Sequence, residues 1–216
     1  AHVNASAILT ALYTREKTGR GQKVYTSQWQ STIVAQTTRL AEFFATGQQP
    51  SRLGTGRTNI VPDQAFPTAD GHINVSVIHD GFWPKLCQAI GRQELIEDHR
   101  FETNELRVRH RDELVSLLEE VFRSGSTAEW LYRLSQSDVP SGPCLDFMGT
   151  RAHPQVVANE YGLEIESQWG TQMVAGHPWH FSKTSTAKPT PAPALDEHRQ
   201  EILSEWQVAD RSGPTG

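Results

Sequence analysis

The stretch whose residue types and spacing best suit chemistry is Ser51–Asn59, SRLGTGRTN, where Gly54 and Gly56 flank Thr55 and are followed by Arg57 and Asn59. Glycine lets a backbone approach a ligand closely, and arginine adds positive charge. Such a stretch can cradle a phosphate, cover a reacting group, or connect two structural units. A dinucleotide fingerprint needs its glycines directly after a strand and opening a helix, and a phosphate loop needs a terminal Gly-Lys-Ser/Thr. Here the stretch follows a helical pattern, precedes a strand-like one and lacks the lysine. A connector or a cover remains.

Other reactive residue types are present without a supporting pattern. None of the nine histidines falls in an H-x-x-x-H or H-E-x-x-H spacing, and Pro178 separates His177 from His180, so no metal site is expected. Cys87 and Cys144 are far apart and match no zinc or redox spacing, which reads as two reduced thiols in a cytosolic protein. No G-x-S-x-G elbow supports a serine triad. The run RFETNELRVRHRDEL carries Arg100, Arg107, Arg109 and Arg111 among carboxylates, the composition of a solvated helix face with i, i+4 pairing.

These residues must be positioned by an alternation of helices and strands. Ala5, Ile8, Leu9 and Leu12 recur at helical spacing until Gly19 and Gly21 stop the pattern. QKVYTS then reads as a short strand and Ser27 as the cap of a second helix, with Trp29, Ile33, Leu40 and Phe44 on a buried face. Gly47 to Pro62 has no periodicity and reads as a functional loop or linker. FPTADGHINVSV predicts a turn followed by a strand alternating at Ile73, Val75 and Val77. Helices follow at Gly81–Ile90 and about Arg109–Phe122. Ser126 and Glu129 then form a capping-box pair opening another helix. Weaker strands are expected around Leu163–Ile165 and Gln172–Val174, then the stiff connector KPTPAPAL and a helix from about Asp196 to Trp206. The last ten residues are expected to fray.

The whole chain narrows the function classes. Twenty basic and 25 acidic residues give a formal charge of −5, which disfavours a nucleic-acid surface. A mean hydropathy of −0.52, with no long apolar run, disfavours a membrane span and places the chain among soluble, cytoplasmic proteins. An opening directly inside a helical pattern is the mark expected of a piece of something longer.

Several stretches together resemble the class III CoA-transferases, the family of formyl-CoA transferase, the carnitine-related enzymes and alpha-methylacyl-CoA racemase. They are ILTALYTREKTGRGQKV, NIVPDQAFPTADGHINVSV, WPKLCQAIGRQELIEDHRFETN, HRDEL, EWL with VPSGP, and PAPALDEHRQEIL. Each is degenerate alone, but they occur in family order from Ile8 to Leu203.

The resemblance implies an α/β fold: a partial Rossmann-like large domain plus a smaller α+β domain. On that template residues 1–46 end the first large-domain segment, 47–66 form the glycine-containing linker and lid loop, 67–160 the small domain, and 161–216 the connector and return to the large domain. It implies an acyl-CoA:carboxylate CoA-transferase that works as an interlocked homodimer through a covalent aspartyl intermediate, with a coenzyme A thioester as substrate, a small carboxylic acid as co-substrate and no permanently bound cofactor. The nucleophilic aspartate is expected just before Ala1, so no catalytic residue is expected within residues 1–216 and this part alone is expected to be inactive. Gly54, Thr55, Gly56, Arg57 and Asn59 occupy the place of the family's glycine-rich lid, although Thr55 and Arg57 interrupt its run of glycines. Arg57 or Asn59 is the candidate contact to the acyl or acceptor carboxylate. A racemase of the same family and a non-catalytic partner subunit are the alternatives.

Overall fold

A computed structural model describes residues 1–206; the tail expected to fray, 207–216, lies outside the described residues. Helices and strands are mixed, as expected of an α/β chain, and the chain divides into two compact units, Ala1–Cys144 and Leu145–Gly216.

The first unit begins with three helices: α1 (His2–Thr18), α2 (Gln28–Ala35) and α3 (Thr37–Thr46). Gly19 ends α1 in the left-handed conformation at φ 70°, which a side chain would resist. The Ser27 hydroxyl accepts from the Gln30 amide and so caps α2 as its residue type predicts. Two expectations fail here. QKVYTS is extended but pairs with no strand among the described residues, and a segment with no neighbouring strand has nothing to complete its ladder. The face expected to be buried is open, with Trp29 77% and Phe44 76% exposed: helical periodicity marks a face that can be buried, and no layer of the described chain covers it.

The body of the unit is an antiparallel sheet in the order β1-β2-β3, formed by β1 (Asp63–Pro67), β2 (His72–Ser76) and β3 (Ser141–Pro143). β1 begins inside the segment expected as loop, 47–66. Phe66 faces Ile73 and Gln64 faces Val75 across the hairpin. The turn is tied down by Asp70, whose carboxylate accepts from the Thr127 amide at 2.7 Å and the Thr127 hydroxyl at 2.9 Å. Those hydrogen bonds favour the charged form and hold the Asp70 carboxyl below its ordinary value.

Five helices follow the hairpin: α4 (Phe82–Ala89), α5 (Glu94–Glu97), α6 (Asn104–Arg109), α7 (Arg111–Arg123) and α8 (Thr127–Gln136). Leu114, Leu118 and Phe122 form the fully buried face of α7, at the four-residue spacing read from the sequence. Phe122 lies tilted against Phe66, centroids 5.1 Å apart, and meets Trp130 edge-on at 5.3 Å. The Trp130 indole N–H donates to the Phe122 carbonyl at 2.8 Å, so its polar end is satisfied. The Ser126–Glu129 capping box is complete in both directions.

The second unit holds α9 (Phe147–Ala152), α10 (Pro154–Ala158), the hairpin of β4 (Gly162–Ser167) and β5 (Gly170–Ala175), and α11 (Arg199–Glu205). Leu163 pairs with Val174 and Ile165 with Gln172. α11 is shorter than the periodicity predicts: Asp196 sits at φ 65°, a conformation no α-helix continues through, and Leu195 is fully exposed.

Candidate functional site

The loop between α3 and β1 carries all five sequence-derived candidates, and its backbone is fastened at both ends. Gly54 sits at φ 58° with open space around it, so a side chain there would strain the backbone, not collide. Gly56 is tight: an added Cβ would lie 3.1 Å from the Leu53 carbonyl and 3.2 Å from Gln64 Oε1. The Thr55 hydroxyl accepts from the Ala65 amide at 3.0 Å, tying the loop to β1.

Beyond the glycines the loop is held by α3, α6 and α7. The Arg111 guanidinium donates to the Thr58 carbonyl at 2.9 Å. The Asn104 amide group donates to the Asn59 carbonyl at 2.8 Å while its oxygen accepts from the Val61 amide at 3.1 Å. Asn59 is therefore engaged through its backbone and exposed otherwise. On the other flank, the Thr58 hydroxyl accepts from Arg39 at 2.7 Å and donates to Glu42 at 3.1 Å. Thr58 first and then Arg39 hold the Glu42 carboxyl below its ordinary value. Between these elements lies a cavity of about 260 Å³ lined by Glu42, Thr46, Gln48, Leu53, Thr58 and Arg111. Arg111 is half-buried, makes no ion pair among the described residues, and has its guanidinium lowered from its ordinary value chiefly by desolvation.

Arg57 extends outward, its side chain 59% exposed, and places Nε 2.7 Å from Asp63 Oδ2. The contact is close enough for an ion pair but not aligned as a hydrogen bond, so Oδ2 is buried without a hydrogen-bond donor.

The deepest cation was missed by sequence reasoning. Arg107 is fully buried. It donates to the Val61 carbonyl at 2.8 Å and the Phe101 carbonyl at 2.9 Å, pairs with Asp80 at 2.7 Å, and lies 5.0 Å from the Trp83 ring centroid. The expectation of a solvated face holds for Arg109, paired with Glu105 one turn away, and fails for Arg107. The lone signal for it was that Arg107 shares a helix side with Asn104, three residues earlier.

Cys87 is buried, with its thiol pushed up to about 12 chiefly by that burial, whereas Cys144 is exposed and free. Among the described residues no group of three or more His, Cys, Asp or Glu is arranged to hold a metal, and no helix is long and apolar enough to cross a membrane.

The CoA-transferase family III pattern matches residues 1–199. Human succinyl-CoA:glutarate CoA-transferase is 33% identical over 200 residues, covering 92% of this chain and 46% of the human protein. The succinyl-CoA:mesaconate CoA-transferase of Haloarcula hispanica is 30% identical over 210 residues, covering 95% of this chain and 52% of its own length. Among solved structures, that of Rv3272 from M. tuberculosis superposes with a TM-score of 0.77 at 28% identity, covering 92% of this chain and 52% of the other. A CAIB/BAIF family protein from Brucella suis gives 0.76 at 30%, with the same two coverages. The chain thus spans about half the length of the relatives it matches, and over that span it belongs to CoA-transferase family III.

Proposed function

We propose that this chain is the C-terminal portion of an acyl-CoA:carboxylate CoA-transferase that acts on a short organic acid. The observation that carries the reading is the family match over residues 1–199, joined to relatives named for CoA transfer between carboxylic acids. A nucleophilic aspartate upstream of Ala1 attacks the thioester carbonyl of the donor, giving a mixed anhydride and expelling CoA thiolate. The thiolate attacks the aspartyl carbonyl, releasing the donor acid as its carboxylate and leaving an aspartyl-CoA thioester. The acceptor carboxylate displaces the thiolate to form a second anhydride. Thiolate attack on the acceptor carbonyl then releases the new thioester and regenerates aspartate. Each step conserves an activated carbonyl.

In this reading the residues of the present chain contribute cover and recognition. Anhydride and thioester intermediates hydrolyse unless water is kept out. The loop Gly54–Asn59 provides a cover pinned by the Thr55 hydroxyl and by the Thr58 and Asn59 carbonyls, with Arg57, which pairs with Asp63 in this structure, as the charged group that addresses a substrate carboxylate. Residues 1–46 join the large domain, 67–160 form the small domain, and the working enzyme is a homodimer.

The test is CoA transfer by the full-length protein from succinyl-CoA to a panel of glutarate, mesaconate, oxalate and butyrate, followed by mass spectrometry of the CoA esters. A new thioester formed in step with succinate release supports the reading. Hydrolysis alone, or exchange of the proton beside the carbonyl of a 2-methylacyl-CoA without transfer, overturns it.

A further inference from the structure

The Arg57–Asp63 pair joins an exposed cation to a carboxylate that the fold nearly buries. Asp63 is nearly buried, its side chain 10% exposed, whereas the Arg57 side chain is 59% exposed. Arg57 approaches Oδ2 to 2.7 Å without hydrogen-bond alignment, and no donor among the described residues makes a hydrogen bond to that oxygen. A buried carboxylate oxygen without a donor is costly, so the Arg57 charge is what keeps Asp63 tolerable. The guanidinium donates no hydrogen bond to any group among the described residues. Its planar fork, suited to bidentate recognition of a carboxylate, is therefore unused.

The backbone on either side cannot follow the side chain. Thr55 is fixed to Ala65, Thr58 to Arg111, Asn59 and Val61 to Asn104, and Val61 again to Arg107. Rotation of the Arg57 side chain is thus the motion open to this site, and it costs the pairing with Asp63, the group it leaves.

We propose that Asp63 determines substrate selectivity: its carboxylate holds Arg57 when no substrate is bound and competes with the distal carboxylate of a dicarboxylic acid, or of its mono-CoA thioester, for the same guanidinium. The proposal rests on the reading of the Gly54–Asn59 loop as the cover of the acyl site. Exchange of one carboxylate for another keeps the Arg57 charge compensated. An acyl chain ending in a methyl group offers no such exchange and leaves Arg57 on Asp63. The pair therefore discriminates by the second carboxylate of the substrate and sets a threshold that it must exceed.

Two variants of the full-length protein separate this proposal from the reading beneath it, with glutarate and butyrate as acceptors. Arg57→Ala is expected to raise the KM for glutarate about tenfold or more, the scale of a lost charge-assisted hydrogen bond, and that for butyrate far less. Asp63→Asn removes the competitor and is expected to lower the KM for glutarate relative to butyrate about two- to fivefold, the range of a solvent-screened ion pair. The double variant should match Arg57→Ala alone. If Arg57→Ala leaves every acceptor unchanged, the cover reading itself fails, and this proposal with it. If Arg57→Ala impairs glutarate while Asp63→Asn leaves the ratio unchanged or raises it, the cover reading survives and the competition is refuted. Should Asp63→Asn not fold, nitrogen NMR of arginine Nε in the unmodified protein decides the matter. With free CoA present, glutarate is expected to shift the Arg57 Nε signal and butyrate is not; an unmoved or equally moved signal overturns the proposal.

Discussion

Asn104→Ala removes two hydrogen bonds that bracket Ile60, the 2.8 Å donation to the Asn59 carbonyl and the 3.1 Å acceptance from the Val61 amide. Neutral hydrogen bonds contribute about 1 kcal/mol each net, so the pair is worth about 2 kcal/mol. Alanine is not disfavoured at this first-turn position of α6, and the Asn104 backbone amide keeps its 2.9 Å bond to Asp80, so the loss concentrates on the loop. At about 1.4 kcal/mol per factor of ten, local opening of the loop base rises about thirtyfold. Native-state amide exchange reads this directly, because the Val61 N–H has Asn104 Oδ1 as its acceptor. The expected result is loss of Val61 protection, with little change at the buried Ile90, whose amide bonds the Leu86 carbonyl at the C-terminal end of α4. If Val61 and Ile90 lose protection equally, or neither does, Asn104 does not hold the loop in the way its contacts imply.

Arg107→Lys keeps a charge but abandons two carbonyls buried beneath the guanidinium, and is expected to cost about 2–4 kcal/mol in urea unfolding; a loss below about 0.5 kcal/mol would refute the role assigned to the fork. Asp98 has its carboxyl lowered to about 2 from an ordinary 3.8, first by the side-chain hydrogen bonds of Arg100. Its folded-state value is depressed, so its contribution is present above about pH 4 and lost as the pH falls toward 2, and Asp98→Asn should flatten stability across that window. Brief iodoacetamide treatment at pH 8 should alkylate Cys144 and spare Cys87, since burial raises the Cys87 thiol to about 12; peptide mass mapping checks the order.

Local features were legible in the sequence. The α7 face, the Ser126–Glu129 capping box and the strand alternating at Ile73 and Val75 depend on neighbours within a few residues, and each forms as read. Burial that depends on distant partners was not. Arg107 looked like its neighbour Arg109, yet only Arg107 meets the carbonyls of Val61 and Phe101. The faces of α2 and α3 have the pattern of buried helices but remain open, because pattern states what a face can do and not what covers it. The loop glycines drew attention by their spacing; the residue that answers Arg57 did not, because Asp63 lies within strand β1 and only the path of the loop brings it alongside.

The most direct test of the account follows oxygen. During turnover of the full-length protein with succinyl-CoA and glutarate labelled with heavy oxygen in its carboxylates, the second anhydride passes one acceptor oxygen to the enzyme. The predicted result is a heavy oxygen on a single aspartate upstream of Ala1, with label then appearing in released succinate. Turnover that forms glutaryl-CoA while every aspartate of the protein stays unlabelled would contradict the account.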